Sequence, residues 1–144
     1  MRLWAALLAT LVLTACSTAP KPPDPATLEA AAEAAIKAIP AADPSKYRDV
    51  RDMKKWRNPY LMITRDGAEL FDFNNDEIHH LKPEELIQAL AKLPPSAWPY
   101  GRVVAAQENG VRAAGDDALI RKNRGIVAGT LESLQVLINW VPSS

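Results

Sequence analysis

The chain has 144 residues and a mass of 15.7 kDa, the size of one domain. Its 17 basic and 17 acidic side chains cancel, which excludes a bulk polycation for nucleic acid and an acidic solvating tail. At 48% hydrophobic it is a foldable composition, and its single cysteine excludes both an intrachain disulfide and a four-thiolate metal site.

The chain begins with a short positive segment, Met1-Arg2, followed by an apolar run from Leu3 to Leu13 broken only by Thr10. A membrane-spanning helix needs about 20 apolar residues, whereas a secretory signal needs roughly 7–15, so the run fits a signal peptide. It ends in Leu13-Thr14-Ala15-Cys16, which resembles the lipobox of bacterial lipoproteins. The resemblance implies removal of residues 1–15, diacylglyceryl transfer to the Cys16 sulfur and acylation, palmitate included, of the new amino group. Stable anchoring takes two lipid chains or signals, and a modified Cys16 would carry three chains. A lipidated Cys16 leaves no thiol for nucleophilic or redox chemistry. By the same resemblance, Ser17 after the cysteine favours the outer membrane.

Residues 16–25 hold the lipidated cysteine and a polar, proline-rich stretch, STAPKPPDP. Such a stretch forms a semi-rigid spacer of about 3.1 Å per residue. Asp24 and Pro25 are a helix start, and Ala26 to Ile39 reads as an Ala-rich helix that Pro40 stops. Its stripe of Leu28, Ala32, Ala35, Ile36 and Ile39 is mostly alanine, which buries little area and suits a mobile arm. Glu33 and Lys37 form a favourable i,i+4 pair. Residues 40–144 then form a single α+β domain.

Ala41 to Pro59 has no clear period and reads as loop with a short helical turn. Tyr60 to Thr64 and Ala68 to Phe73 are strands joined by Arg65-Asp66-Gly67, a strong hairpin signal. Pro83 to Leu93 is a helix with Leu86, Ile87, Leu90 and Leu93 on its apolar face. Arg102 to Gln107 is a strand. Asp116 or Asp117 caps a last helix running to Ser133, with Leu119, Ile120, Asn123, Val127, Leu131 and Leu134 facing inward. Val136 to Val141 is a closing strand. These elements predict a small mixed sheet of about four strands with two helices on one face, plus the N-terminal helix.

The element order, the Asp-Gly hairpin and the helix opening Pro83-Glu84-Glu85-Leu86 are similar to the periplasmic domain of ExbD/TolR-type proteins over residues 60–141. That family couples ion flow through a membrane helix bearing an aspartate. Here the only long apolar segment is the removable signal, which holds no acid. The resemblance therefore implies a small fold that pairs with itself or with a partner peptide, and not energy transduction.

Four patterns are candidates for chemistry. Lys46–Arg57, KYRDVRDMKKWR, sets six cations against Asp49 and Asp52, with Tyr47 and Trp56 interleaved. It reads as a solvated loop whose Trp56 plugs the core, against the alternative of docking on anionic headgroups or glycan. Asp72 to Glu77, DFNNDE, starts like a calcium loop, but its sixth and twelfth positions hold Glu77 and Pro83 where Gly and Glu are needed. An Asn/Asp-rich turn explains it better. His79 and His80 are adjacent and diverge on either a strand or a helix, so they form no metal clamp. Gly125 and Gly129 let the last helix sit close on a sheet, with Arg121, Lys122 and Arg124 as its wet face.

No GxSxG, glycine phosphate loop or Ser-x-x-Lys is present, so the sequence assigns no catalytic residue, metal or cofactor. The reading is an exported, lipid-anchored envelope protein at the periplasmic face of the outer membrane, with a binding or scaffolding domain. Its partners would be an envelope protein or the cell-wall polymer, and no nucleic acid. The alternative is a small periplasmic hydrolase or metal-dependent accessory enzyme using Asp72, Asp76, Glu77, His79 and His80.

Overall fold

The computed structural model describes residues 19–143. Cys16, the signal segment and most of the tether's lipid-proximal part lie outside the described residues. Three helices and one five-stranded sheet make up the fold: α1 (Pro25–Lys37), β1 (Tyr60–Thr64), β2 (Gly67–Asp72), β3 (Glu77–Leu81), α2 (Leu86–Ala91), β4 (Val103–Glu108), α3 (Asp116–Ser133) and β5 (Leu137–Trp140). The sheet order is β3-β2-β1-β4-β5. The hairpin strands β1, β2 and β3 are antiparallel to one another in turn, while β4 is parallel to both β1 and β5. The mixed α/β class follows the sequence, with one strand more than the four predicted.

The additional strand is β3. Its sequence, EIHHL, offers one strongly apolar residue between a carboxylate and two histidines, so strand periodicity is hidden. Pairing with β2 over the full register from Ala68↔Leu81 to Asp72↔Glu77 imposes it. The hairpin before it is tighter than expected. Arg65 and Asp66 alone form the turn, and Gly67 pairs with Thr64 as the first residue of β2. Gly67 is required there: a Cβ would lie 2.0 Å from the Leu81 carbonyl oxygen.

Period-two alternation sends Leu61, Ile63, Ala68, Leu70, Val104 and Ala106 to one face, where they meet all three helices in one core. Ile36 of α1 is fully buried in that core. The N-terminal helix is thus packed into the domain and does not stand off as an arm. Asp24 caps it by accepting the Ala26 N–H at 3.0 Å, and Gln88 of α2 donates to the Leu28 carbonyl at 3.1 Å. The helix predicted over Pro83–Leu93 begins as a 3-10 turn, Pro83–Glu85, before becoming α2.

The cap of α3 also differs from expectation. Gly115, left-handed at φ 88°, occupies the N-cap position, and Asp116 is the first helical residue. The buried Asp116 carboxylate instead accepts from the Ala113 N–H at 2.7 Å and from Arg65 at 3.0 Å, tying the loop to the hairpin. Of the side chains predicted inward on α3, Ile120, Asn123, Val127 and Leu131 are buried, whereas Leu119 is exposed. Gly125 and Gly129 face open space and contribute nothing to helix–sheet approach. Ile120, Val127 and Leu131 already fill that interface, so the two glycines fall on the outer side.

The sheet's second face is covered by residues 41–59, which run as a strap over β1 and β4. Tyr47, Val50, Met53 and Trp56 turn inward at every third position and pack on Tyr60, Tyr100, Val103 and Ala105. Two 3-10 turns, Pro44–Lys46 and Met53–Lys55, set this spacing, capped by Asp43 and Asp52. The reading of this stretch as a loop without period is corrected to a three-residue period.

Candidate functional site

The Asp72–His80 segment is split by β3. Asp72, Glu77 and His79 project on the helix side; His80 projects on the other. Glu77 and His79 are neighbours at 3.4 Å, beside an open cleft of about 570 Å³ that Asp72, Glu84 and Lys92 also line. His80 pairs instead with Glu69 at 3.3 Å across the strand. Asp76 sits in the β2–β3 turn in the left-handed region, at φ 54°, away from that cleft.

The buried Asp72 has a structural duty. Its Oδ1 accepts the Asn74 N–H at 2.9 Å and its Oδ2 accepts from the Asn75 amide at 2.8 Å, which closes the turn. The Asn/Asp-rich turn is therefore what the DFNNDE pattern encodes. Among the described residues, no group of three His, Cys, Asp or Glu side chains is placed to hold a metal ion. Of the five residues named for enzyme chemistry, Glu77 and His79 are in ion-pair range, Asp72 and His80 also line that cleft, and Asp76 does not.

A different set of residues forms the best-connected polar cluster. Glu108, at the end of β4, accepts from Arg124 of α3 at 2.8 Å and from Arg112 at 2.6 Å. Arg112 also bonds Asp117 at 2.6 Å, and Arg124 lies over the Trp140 ring, 4.3 Å from its centroid. Partial burial pushes the Glu108 carboxyl up, but the hydrogen bonds and charges of Arg124 and Arg112 outweigh it and hold its pKa below the usual value. Glu108, Arg112 and Asp117 are near one another in sequence, whereas Arg124 and Trp140, up to 32 positions from Glu108, are brought into the cluster by α3 and by the parallel β4–β5 pairing. Its carboxylates and guanidiniums neutralise one another, which makes it a clamp on the end of the sheet.

Among the described residues, two strand edges carry no further strand. The outer strand β3 is paired on one side only and carries Ile78, 52% exposed, opposite Phe71, with exposed Phe73 just beyond β2. At the other edge, β5 carries Leu137, 54% exposed, and the partly exposed Trp140. Unpaired backbone N–H and C=O groups beside exposed apolar side chains are a template for an added strand.

The strap carries all six of its cations outward. Lys46, Arg48, Arg51, Lys54, Lys55 and Arg57 are exposed, while Trp56 is fully buried and donates its indole N–H to the Pro59 carbonyl at 3.2 Å. Trp56 thus plugs the second-face core as expected. Lys46 reaches Asp43 at 3.9 Å and Arg48 reaches Asp49 at 4.0 Å. Among the described residues, no ion pair joins this strap to the acidic segment Asp66–Glu85. No helix among the described residues is long and apolar enough to cross a membrane.

No protein-family model matches this chain, and no curated protein or solved structure matches it either.

Proposed function

We propose that this is an exported bacterial lipoprotein, anchored through Cys16 at the periplasmic face of the outer membrane, whose compact domain binds or scaffolds an envelope partner. The anchor rests on Leu13-Thr14-Ala15-Cys16 after a short apolar segment. The binding role rests on one observation above the others: β3 is a five-residue outer strand with an exposed Ile78 and, among the described residues, no strand paired on its free side. An extended segment of an envelope protein would add there as a sixth strand, main-chain bonds giving affinity and Ile78 an apolar contact. The ExbD/TolR-type resemblance is compatible with this role, since the hairpin, helix, strand, helix, strand order is retained with β3 inserted.

Cys16→Ala tests the anchor. It should abolish palmitate labelling and move the protein to the soluble periplasmic fraction; continued membrane retention would overturn the anchor. A photo-crosslinker at Ile78 in intact envelopes tests the binding role, with one at Glu132 on α3 as reference. A discrete adduct from position 78 alone is expected, and equal labelling from both positions would count against β3.

A further inference from the structure

We infer that the strap over the second face is a phosphate-recognising surface that seats the domain on an anionic lipid bilayer. The inference rests on the lipid-anchor reading, because Cys16 is what would bring the strap to a bilayer. Four observations carry it.

First, the aromatic and cationic residues of Lys46–Arg57 are sorted by the three-residue period. Tyr47, Val50, Met53 and Trp56 face the sheet, and the six cations face out.

Second, the strap is held in place. Tyr47, Trp56 and Tyr100 pack ring on ring at 5.1 to 5.8 Å between centroids. The Tyr100 hydroxyl donates to the Lys55 carbonyl at 3.3 Å, and Arg57 donates to the Lys54 and Trp56 carbonyls at 2.9 and 3.0 Å. The backbone that presents the cations is therefore ordered before any ligand arrives, which reduces the entropy lost on binding.

Third, among the described residues four of the six cations keep no carboxylate partner. Arg51, Lys54, Lys55 and Arg57 have no carboxylate within 4.0 Å among the described residues, and the acidic segment lies at the β2–β3 side of the sheet. The domain is electrically polarised: net +4 over Lys46–Arg57, and net −6 over Asp66–Glu85 with both histidines neutral. An anionic surface would attract the strap and turn the acidic β3 edge away, leaving that edge available to a partner strand.

Fourth, the tether is long enough. From Cys16 to Pro25 is nine residues, about 28 Å at the rise of a proline-rich chain. The strap and α1 lie on opposite sides of the sheet, and two layers of about 10 Å each separate them. A chain of that length would let a lipidated Cys16 reach past the sheet and the strap lie against the headgroups.

The test uses residues 16–144 with Cys16→Ala, so that the lipid anchor plays no part, and vesicles of phosphatidylcholine alone or mixed equally with phosphatidylglycerol. Binding is expected to the mixed vesicles only, and to weaken as salt is raised. Arg51→Gln with Lys55→Gln should cut partitioning about thirtyfold, at about one kcal/mol per cation near an anionic surface. Arg121→Gln with Lys122→Gln on α3 should change it less than about twofold. All four side chains are exposed, and an unchanged thermal midpoint checks that the variants fold.

Equal binding to both vesicle types would overturn the inference, as would an unaffected Arg51/Lys55 variant. So would capture by a soluble anionic glycan or by inorganic phosphate with no binding to the mixed vesicles. If vesicle binding fails while Cys16 takes up palmitate in cells, the inference fails alone. If vesicle binding holds and palmitate uptake fails, only the anchor is wrong.

Discussion

Asn58 is fully buried and holds the backbone of Tyr100: its Oδ1 accepts the Tyr100 N–H at 2.8 Å. Its amide donates to the Gly101 and Val103 carbonyls, both at 2.7 Å. One side chain thus fixes the end of the strap to the entry of β4. Asn58→Ala would leave the Val103 carbonyl and the Tyr100 N–H without their Asn58 partner in a closed site, while the Gly101 carbonyl keeps the Val103 N–H. It should destabilise the protein by about 3 kcal/mol, measured by urea unfolding, since unsatisfied buried groups cost roughly 1–3 kcal/mol each and are partly relieved by water. A loss below about 1 kcal/mol would mean that the strap is pinned by its aromatic residues alone.

Ile36 tests whether the N-terminal helix belongs to the core. The side chain is fully buried with Leu86 and Leu90 in the helix-side cluster. Ile36→Ala should cost about 3 kcal/mol, within the range for large-to-small core changes, in a single transition followed by tryptophan fluorescence. A near-neutral substitution would show that α1 detaches without consequence.

The glycines make a contrast in one experiment. Gly67→Ala drives a Cβ onto the Leu81 carbonyl oxygen and should lower stability by about 3 kcal/mol. Gly125→Ala and Gly129→Ala meet open space on a helix, so each should raise stability by about 0.5–1 kcal/mol. Thermal midpoints read both signs. A destabilising Ala at position 125 would contradict the outward placement of that helix face.

Glu108 predicts an acid dependence. Its folded pKa is depressed below the usual value, so its contribution is present above the unfolded pKa and is lost as pH falls through the folded one. Urea midpoints of the native chain and of Glu108→Gln should therefore differ most at neutral pH. They should converge as pH falls below the usual carboxylate range, through the depressed folded-state pKa. A constant difference across that range would exclude the ion pairs with Arg112 and Arg124 as its cause.

Asp24-Pro25, the alternation in YLMIT and the Ile120–Val127–Leu131 stripe are local signals, and each produced the element expected of it. Leu119 and the two helix glycines were misplaced because periodicity gives a stripe but not its edges. Gly125 and Gly129 could pack inward only if the bulkier residues beside them did not already fill the interface. The period of three in Tyr47, Val50, Met53 and Trp56 was readable, but it matches neither a helix nor a strand template. Of the candidate site, the cation run was plain in the sequence, whereas its freedom from carboxylates depends on where Asp66–Glu85 lies in space.

Sequence by itself determined the foldable single-domain composition, the signal-like N-terminus, the balanced charge and most of the elements, because these depend on residues within a few positions of one another. Tertiary structure decided that EIHHL is a strand, that Asp76 lies away from the cleft of Glu77 and His79 while His80 pairs with Glu69, and that Glu108 meets Arg124 beside Trp140. It also decided that the neutral total is two separated charges of opposite sign. Those outcomes depend on which strand lies beside which, and neighbours across a sheet are set by the packing of the whole chain.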